Sequence, residues 1–273
     1  MPRYKWAHFV ALLIATVRIS CGPDTAIAQA TNADPEVHIV EPITTEETMP
    51  NEPGDWDLRL SGSYMRQGIG GFGSLPRTQL FFGMATRWGG EVEVPMAFAK
   101  DTANHYGVGD VSATLKYLVR KPSARTMGLV LGVETAFPSG SAGRGLGEGV
   151  FEVSPFLAAV RTYRWVVLQG NFGYSVVHKT QITDASNTIF YNGAAAFPLE
   201  RINTDLLLEI NGTHSFNAGQ VAFSPGLKYN LTPDRCLAIA FPIGLNSQTP
   251  RLGVVLQFQV ALRSAAREEG NTK

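Results

Sequence analysis

The chain is poor in cysteine, charge and long apolar runs. Only Cys21 and Cys236 are cysteine among 273 residues. If a leader is removed after Ala30, Cys236 stands alone, and a lone cysteine cannot close an intrachain disulfide. It reads as a small buried apolar residue at a strand start. Charged residues make up 17%, below the roughly 25% of an average soluble domain. Lys plus Arg and Asp plus Glu balance at 23 each, so no basic stripe is available and nucleic acid is excluded as a partner. No apolar run reaches the roughly 18 residues of a transmembrane helix. The five histidines are scattered: His8 in the leader, His38 in an acidic stretch, and His105, His178 and His214 in three different expected loops. They lack HxxH spacing and a nearby cysteine, so neither a metal nor a cofactor is expected. Ser175 and His178 are close in sequence, and Ser139 and Ser141 share a loop, but nothing orients a nucleophile–base pair. Gly143-Arg144-Gly145-Leu146-Gly147 has no helix after it, as a nucleotide loop would require. The chain reads as a non-enzyme.

What is present is alternation. From Gly109 to Phe137 the sequence is GDVSATLKYLVR, KPSART, MGLVLGVETAFP. Val111, Ala113, Leu115, Tyr117 and Val119 alternate with Asp110, Ser112, Thr114, Lys116 and Leu118, and Met127 to Phe137 repeats the pattern. A period of two puts the two sets on opposite faces of a strand. Each strand runs to about eleven residues, against the usual five or six of soluble domains. Roughly nine to eleven tilted residues cross a bilayer.

In chain order, Arg3 and Lys5, the apolar stretch Trp6 to Val17 and Ala28-Gln29-Ala30 form the pattern of a secretory signal peptide over residues 1–30; Ile19-Ser20-Cys21 fits a lipoprotein box poorly. Residues 31–55 are acidic and proline-containing, with Asp34, Glu36, Glu41, Glu46, Glu47, Glu52 and Asp55. The plainer reading is a flexible, solvated arm; the alternative is a segment that enters or covers a pore. Residues 56–262 carry about twelve strands, an even number as in single-chain bacterial barrels. Glycine-rich or polar connections are expected to be long after strands one, three, five and seven (67–75, 101–108, 138–149 and 178–188) and short after strands two, six and eight. Trp88-Gly89-Gly90 reads as a tight turn, and Pro95 predicts a bulge because proline removes a ladder donor. Residues 263–273 are a polar tail.

One strand face is Leu, Val, Phe and Tyr. The other carries Asp57, Arg59, Glu91, Glu93, Asp110, Lys116, Glu134, Glu152, Asp205, Glu209 and Lys228 among Ser, Gly, Ala and Thr. A soluble sandwich also alternates. Long strands, a small-residue polar face and aromatics near strand ends (Trp56, Tyr64, Trp88, Phe98, Tyr117, Phe137, Phe151, Trp165, Tyr229) favour a barrel with a polar lumen and interface girdles. The fold class expected is all-β, a single transmembrane antiparallel β-barrel of about twelve strands, with those eleven residues lining the lumen. Acids outnumber bases there, so an open lumen would prefer cations.

Gly107-Val108-Gly109-Asp110-Val111, Leu115-Lys116-Tyr117, Leu131-Gly132-Val133-Glu134, Phe137-Pro138-Ser139-Gly140-Ser141 and Gly145-Leu146-Gly147 resemble the motif series of the meta-pathway phenol-degradation family, with Ser139 where threonine is common. That family comprises bacterial outer-membrane barrels linked to uptake of aromatic compounds, and it implies no catalytic residues. The resemblance implies a Gram-negative outer-membrane location. The partners would be membrane lipid, the outer-membrane assembly machinery and a small solute. The functional expectation is passive passage of small solutes, aromatic ones among them. The competing classes are a structural or adhesive barrel with a closed lumen, and a barrel hydrolase.

Overall fold

The computed structural model describes residues 39–45, 48–68, 70–100, 104–178, 186–216 and 218–262. The expected leader (1–30) and tail (263–273) lie outside the described residues, as do His8, Cys21 and His38. Fourteen strands follow in order: β1 Trp56–Gln67, β2 Gly70–Ala85, β3 Trp88–Lys100, β4 Asn104–Val108, β5 Val111–Arg120, β6 Gly128–Phe137, β7 Phe151–Tyr163, β8 Val166–His178, β9 Thr188–Leu199, β10 Thr204–Ser215, β11 Gly219–Thr232, β12 Arg235–Ala240, β13 Ile243–Gly244 and β14 Leu252–Leu262. Each pairs antiparallel with its neighbours. β1 closes the ring on β14, from Trp56 opposite Leu262 to Arg66 opposite Leu252. β4 and β5 both pair β3, and β12 and β13 both pair β11 and β14. The fourteen segments are therefore twelve staves, two of them interrupted. Closing β1 on β14 removes the open edges of the sheet, which lipid would not tolerate.

Proline explains one interruption. Pro95 has no amide hydrogen to give. Opposite it β2 carries an extra residue between Ser74 and Arg77. On its other side the neighbouring stave breaks at Gly109-Asp110, where Gly109 N–H donates to the Pro95 carbonyl at 2.8 Å. Two expected long loops are strand instead. Residues 70–75 belong to β2, with 70–74 paired to β1, and residues 104–108 form β4 on β3. Their glycines and small residues alternate faces as a ladder needs, and glycine content alone had read as a loop. The turn after β2 is Thr86-Arg87, with Arg87 at φ 77°, rather than residues 88–90. The long connection at 138–150 stands, apart from one 3₁₀ turn at Ala142–Arg144.

The outward face is an apolar band in which Leu131, Leu157, Phe172 and Leu256 are all about half or more exposed. Aromatic rings pair across the wall at both rims. Trp56–Phe82 (5.3 Å), Trp88–Tyr117 (4.7 Å) and Trp165–Phe197 (5.9 Å) lie at the end bearing the short turns, and Tyr64–Phe98 (6.2 Å) and Phe137–Phe151 (5.7 Å) at the end bearing the long loop. Those are the two interface girdles of a spanning barrel. The inward face holds the buried polar residues, among them Gln79, Asn171, Ser224 and Gln257.

Candidate functional site

The lumen is occupied by the chain's own N-terminal segment. Val40, Ile43, Thr45 and Thr48 are buried, which corrects the expectation of a solvated arm for the described part of residues 31–55. Ile39, Asn51, Glu52 and Asp55 lie at the turn end beside Trp56 and Leu262, and Thr44 and Thr45 reach into the barrel to Glu209 and Asn211 on β10. The reason is a complementary apolar patch inside the wall. Val160, Val167, Ala196, Leu207, Ala238, Ala240 and Val255 face inward and pack with Val40 and Ile43. An apolar lumen patch in contact with water is unfavourable, and covering it returns roughly 25 cal/mol per Å². Gly83 lets the segment approach: a side chain there would place Cβ 1.8 Å from the Glu52 carbonyl oxygen.

Two polar anchors fix the segment. Glu209 is buried, and its carboxylate accepts the backbone N–H of Ile43 (2.8 Å), Thr44 (2.9 Å) and Thr45 (2.7 Å) and the Thr44 hydroxyl (2.8 Å). Thr45 Oγ1 also donates to Asn211 Oδ1 at 2.9 Å. Glu41 provides the second anchor: its Oε2 faces Arg59 Nη2 at 3.4 Å and Lys228 Nζ at 3.5 Å, and accepts from Gln259 Nε2.

The expected lumen residues fall into groups. Arg59, Glu91, Lys116, Asp205, Glu209 and Lys228 are buried on the inward face, and Asp57, Glu93, Glu134 and Glu152 are partly buried. Glu91 pairs with Lys116 at 3.2 Å and accepts from Gln79 at 2.9 Å. Glu93 pairs with Arg77 at 3.2 Å. Phe81, also buried, lies 4.5 Å from the Arg59 guanidinium and 5.6 Å from the Lys116 ammonium, a cation–π pair on one ring. Asp57 accepts from Asn51 (2.8 Å) and Asp205 from Asn230 (3.1 Å).

Asp110 is the exception, because it lies between β4 and β5 rather than on a stave. Its two oxygens accept Gly140 N–H at 2.9 Å and Glu148 N–H at 2.6 Å. Ser139 Oγ accepts Val111 N–H and donates to the Gly109 carbonyl, both at 2.8 Å. The motif residues at 107–111 and 137–147 thus tie the long loop to the wall. The loop in turn contributes Glu148 to a cavity of about 530 Å³ at the loop end, shared with Glu134, Glu152, Ser154 and Ser175. No base lines it among the described residues.

Ser175 faces inward and bonds Ser154 at 2.8 Å, while His178 ends the same strand on the opposite face. Cys236 is buried near the start of β12, as expected, but on the lumen side. Glu41 and the apolar lumen patch were missed in sequence. A signal for the patch was present: Leu206-Leu207-Leu208, Leu237 to Ala240 and Val254-Val255-Leu256 are apolar on both faces near one end, so the interior there needed a cover.

Closure, an apolar exterior, aromatic girdles and a polar interior define an outer-membrane β-barrel. The family described as "Putative MetA-pathway of phenol degradation" matches residues 25–262, and the chain belongs to it. Among solved structures, an outer-membrane channel from Pseudomonas putida F1 is similar at TM-score 0.60 and 12% identity, covering 82% of this chain and 100% of that one. The NanC porin gives 0.55 and 13%, covering 76% and 99%. The KdgM porin gives 0.54 and 9%, covering 76% and 99%. At these identities the likeness is one of fold. No curated protein matches the sequence.

Proposed function

We propose that the protein is a channel of a Gram-negative outer membrane for passive entry of small solutes, aromatic ones among them, with the N-terminal segment closing the turn half of its lumen at rest. The reading rests on one observation above the rest: a polar, charged lumen is kept inside a closed ring whose outer face is apolar. A barrel with only a structural task has no need of an acidic, hydroxyl-lined cavity open at one end. The family's description and the lumen ring of Phe81 support aromatic solutes.

The packed segment favours a second reading, a structural barrel with a permanently closed lumen. Conductance of the refolded protein in a planar bilayer under a salt gradient separates the two. Discrete steps with a cation-favouring reversal potential are expected from a channel. A silent bilayer, from protein that migrates differently in SDS with and without boiling, would favour the structural barrel.

A further inference from the structure

We infer that Arg59, Lys228 and Gln259 form a carboxylate-binding site in which Glu41 is an internal stand-in, and that a small carboxylate solute takes Glu41's place when the segment moves. Arg59 on β1 and Gln259 on β14 are direct partners across the closing seam. Lys228 on β11 reaches the same point from the far side of β12. All three are buried, and all three face one oxygen, Glu41 Oε2. Two cations and an amide converging on one carboxylate oxygen is how proteins hold an acid group.

The bound group comes from a separate segment rather than from the wall, and that makes it exchangeable. Glu41 is a carboxylate that both buried cations face, and separating buried charges from a facing counter-charge is costly. An incoming carboxylate removes that cost, so it selects the displaced state of the segment. A cavity of about 260 Å³ adjoins Glu41 at the turn end. The acidic cavity at the loop end is lined from β6 to β10, away from the β1–β14 seam.

As a station for a solute, the site rests on the channel reading, whereas binding is measured without transport. The test is calorimetric titration of the full-length protein in detergent with benzoate, and with benzamide as the uncharged isostere. Glu41→Gln is expected to bind benzoate about tenfold more tightly than the unaltered chain. Adding Arg59→Gln is expected to remove that gain, and benzamide to show neither effect. Equal benzoate affinity with and without Glu41, a gain that survives Arg59→Gln, or equal binding of benzamide would overturn the proposal. If Glu41→Gln does not fold, the unaltered chain decides: benzoate, and not benzamide, should speed cleavage within residues 39–45 by proteinase K, and no acceleration sinks the idea. Benzoate binding by protein that is silent in bilayers would leave the site standing and remove the channel.

Discussion

Glu209 Oε2 accepts the Thr45 backbone N–H at 2.7 Å across 164 residues of sequence. Together with Ile43 and Thr44 it makes one wall carboxylate the fastening of the segment's tip. Hydrogen bonds to a charged group are worth about 1.5–3 kcal/mol each. Glu209→Ala should therefore loosen the tip, and single-channel conductance should rise several-fold over the unaltered protein. Deleting residues 39–52 should raise it further. Equal conductance in all three would mean that the segment does not obstruct the path.

Lys116 and Glu91 are a buried pair at 3.2 Å. Breaking such a pair costs about 3–5 kcal/mol, because a charge is left alone, whereas replacing both members by apolar residues is often near neutral. Lys116→Met should lower barrel stability in urea by that order, and Lys116→Met with Glu91→Leu should recover most of the loss. A double variant as unstable as the single one would show that neighbours such as Gln79 and Phe81 need the charges in place.

Asp110 joins the break between β4 and β5 to the loop at Gly140 and Glu148. Asp110→Ala removes both acceptors and leaves the strands intact. Trypsin should then cut after Arg144 many times faster while the SDS mobility shift persists. Unchanged cleavage would mean that Ser139 and the buried Leu146 hold the loop unaided.

Selectivity should follow the loop-end cavity. Glu134 and Glu152 line it with Glu148 and no base among the described residues. Rings of acid side chains favour cations. Replacing Glu134 and Glu152 together by Gln should move the reversal potential in a salt gradient toward zero. An unmoved potential would place the selecting charges deeper, among Asp57, Asp205 and Glu209.

The sequence by itself determined the wall. Side chains in a strand alternate every second residue, so Leu115 and Lys116, or Leu208 and Glu209, declare opposite faces without reference to the rest of the chain. That local rule yields the twelve staves, the girdle aromatics and the inward placement of every expected lumen residue on a strand. It misjudged residues 70–75 and 104–108, where glycine content suggested loops and ladder pairing with β1 and β3 made strands. Only the tertiary structure decided what fills the lumen. Ile43 meets Glu209, and Glu41 meets Arg59, Lys228 and Gln259, solely because ring closure brings β1, β10, β11 and β14 around one interior. The segment from 39 to 52 has no period of its own and few apolar residues. Its fold comes from the barrel, through an inward apolar patch that must be covered and buried charges that must be matched.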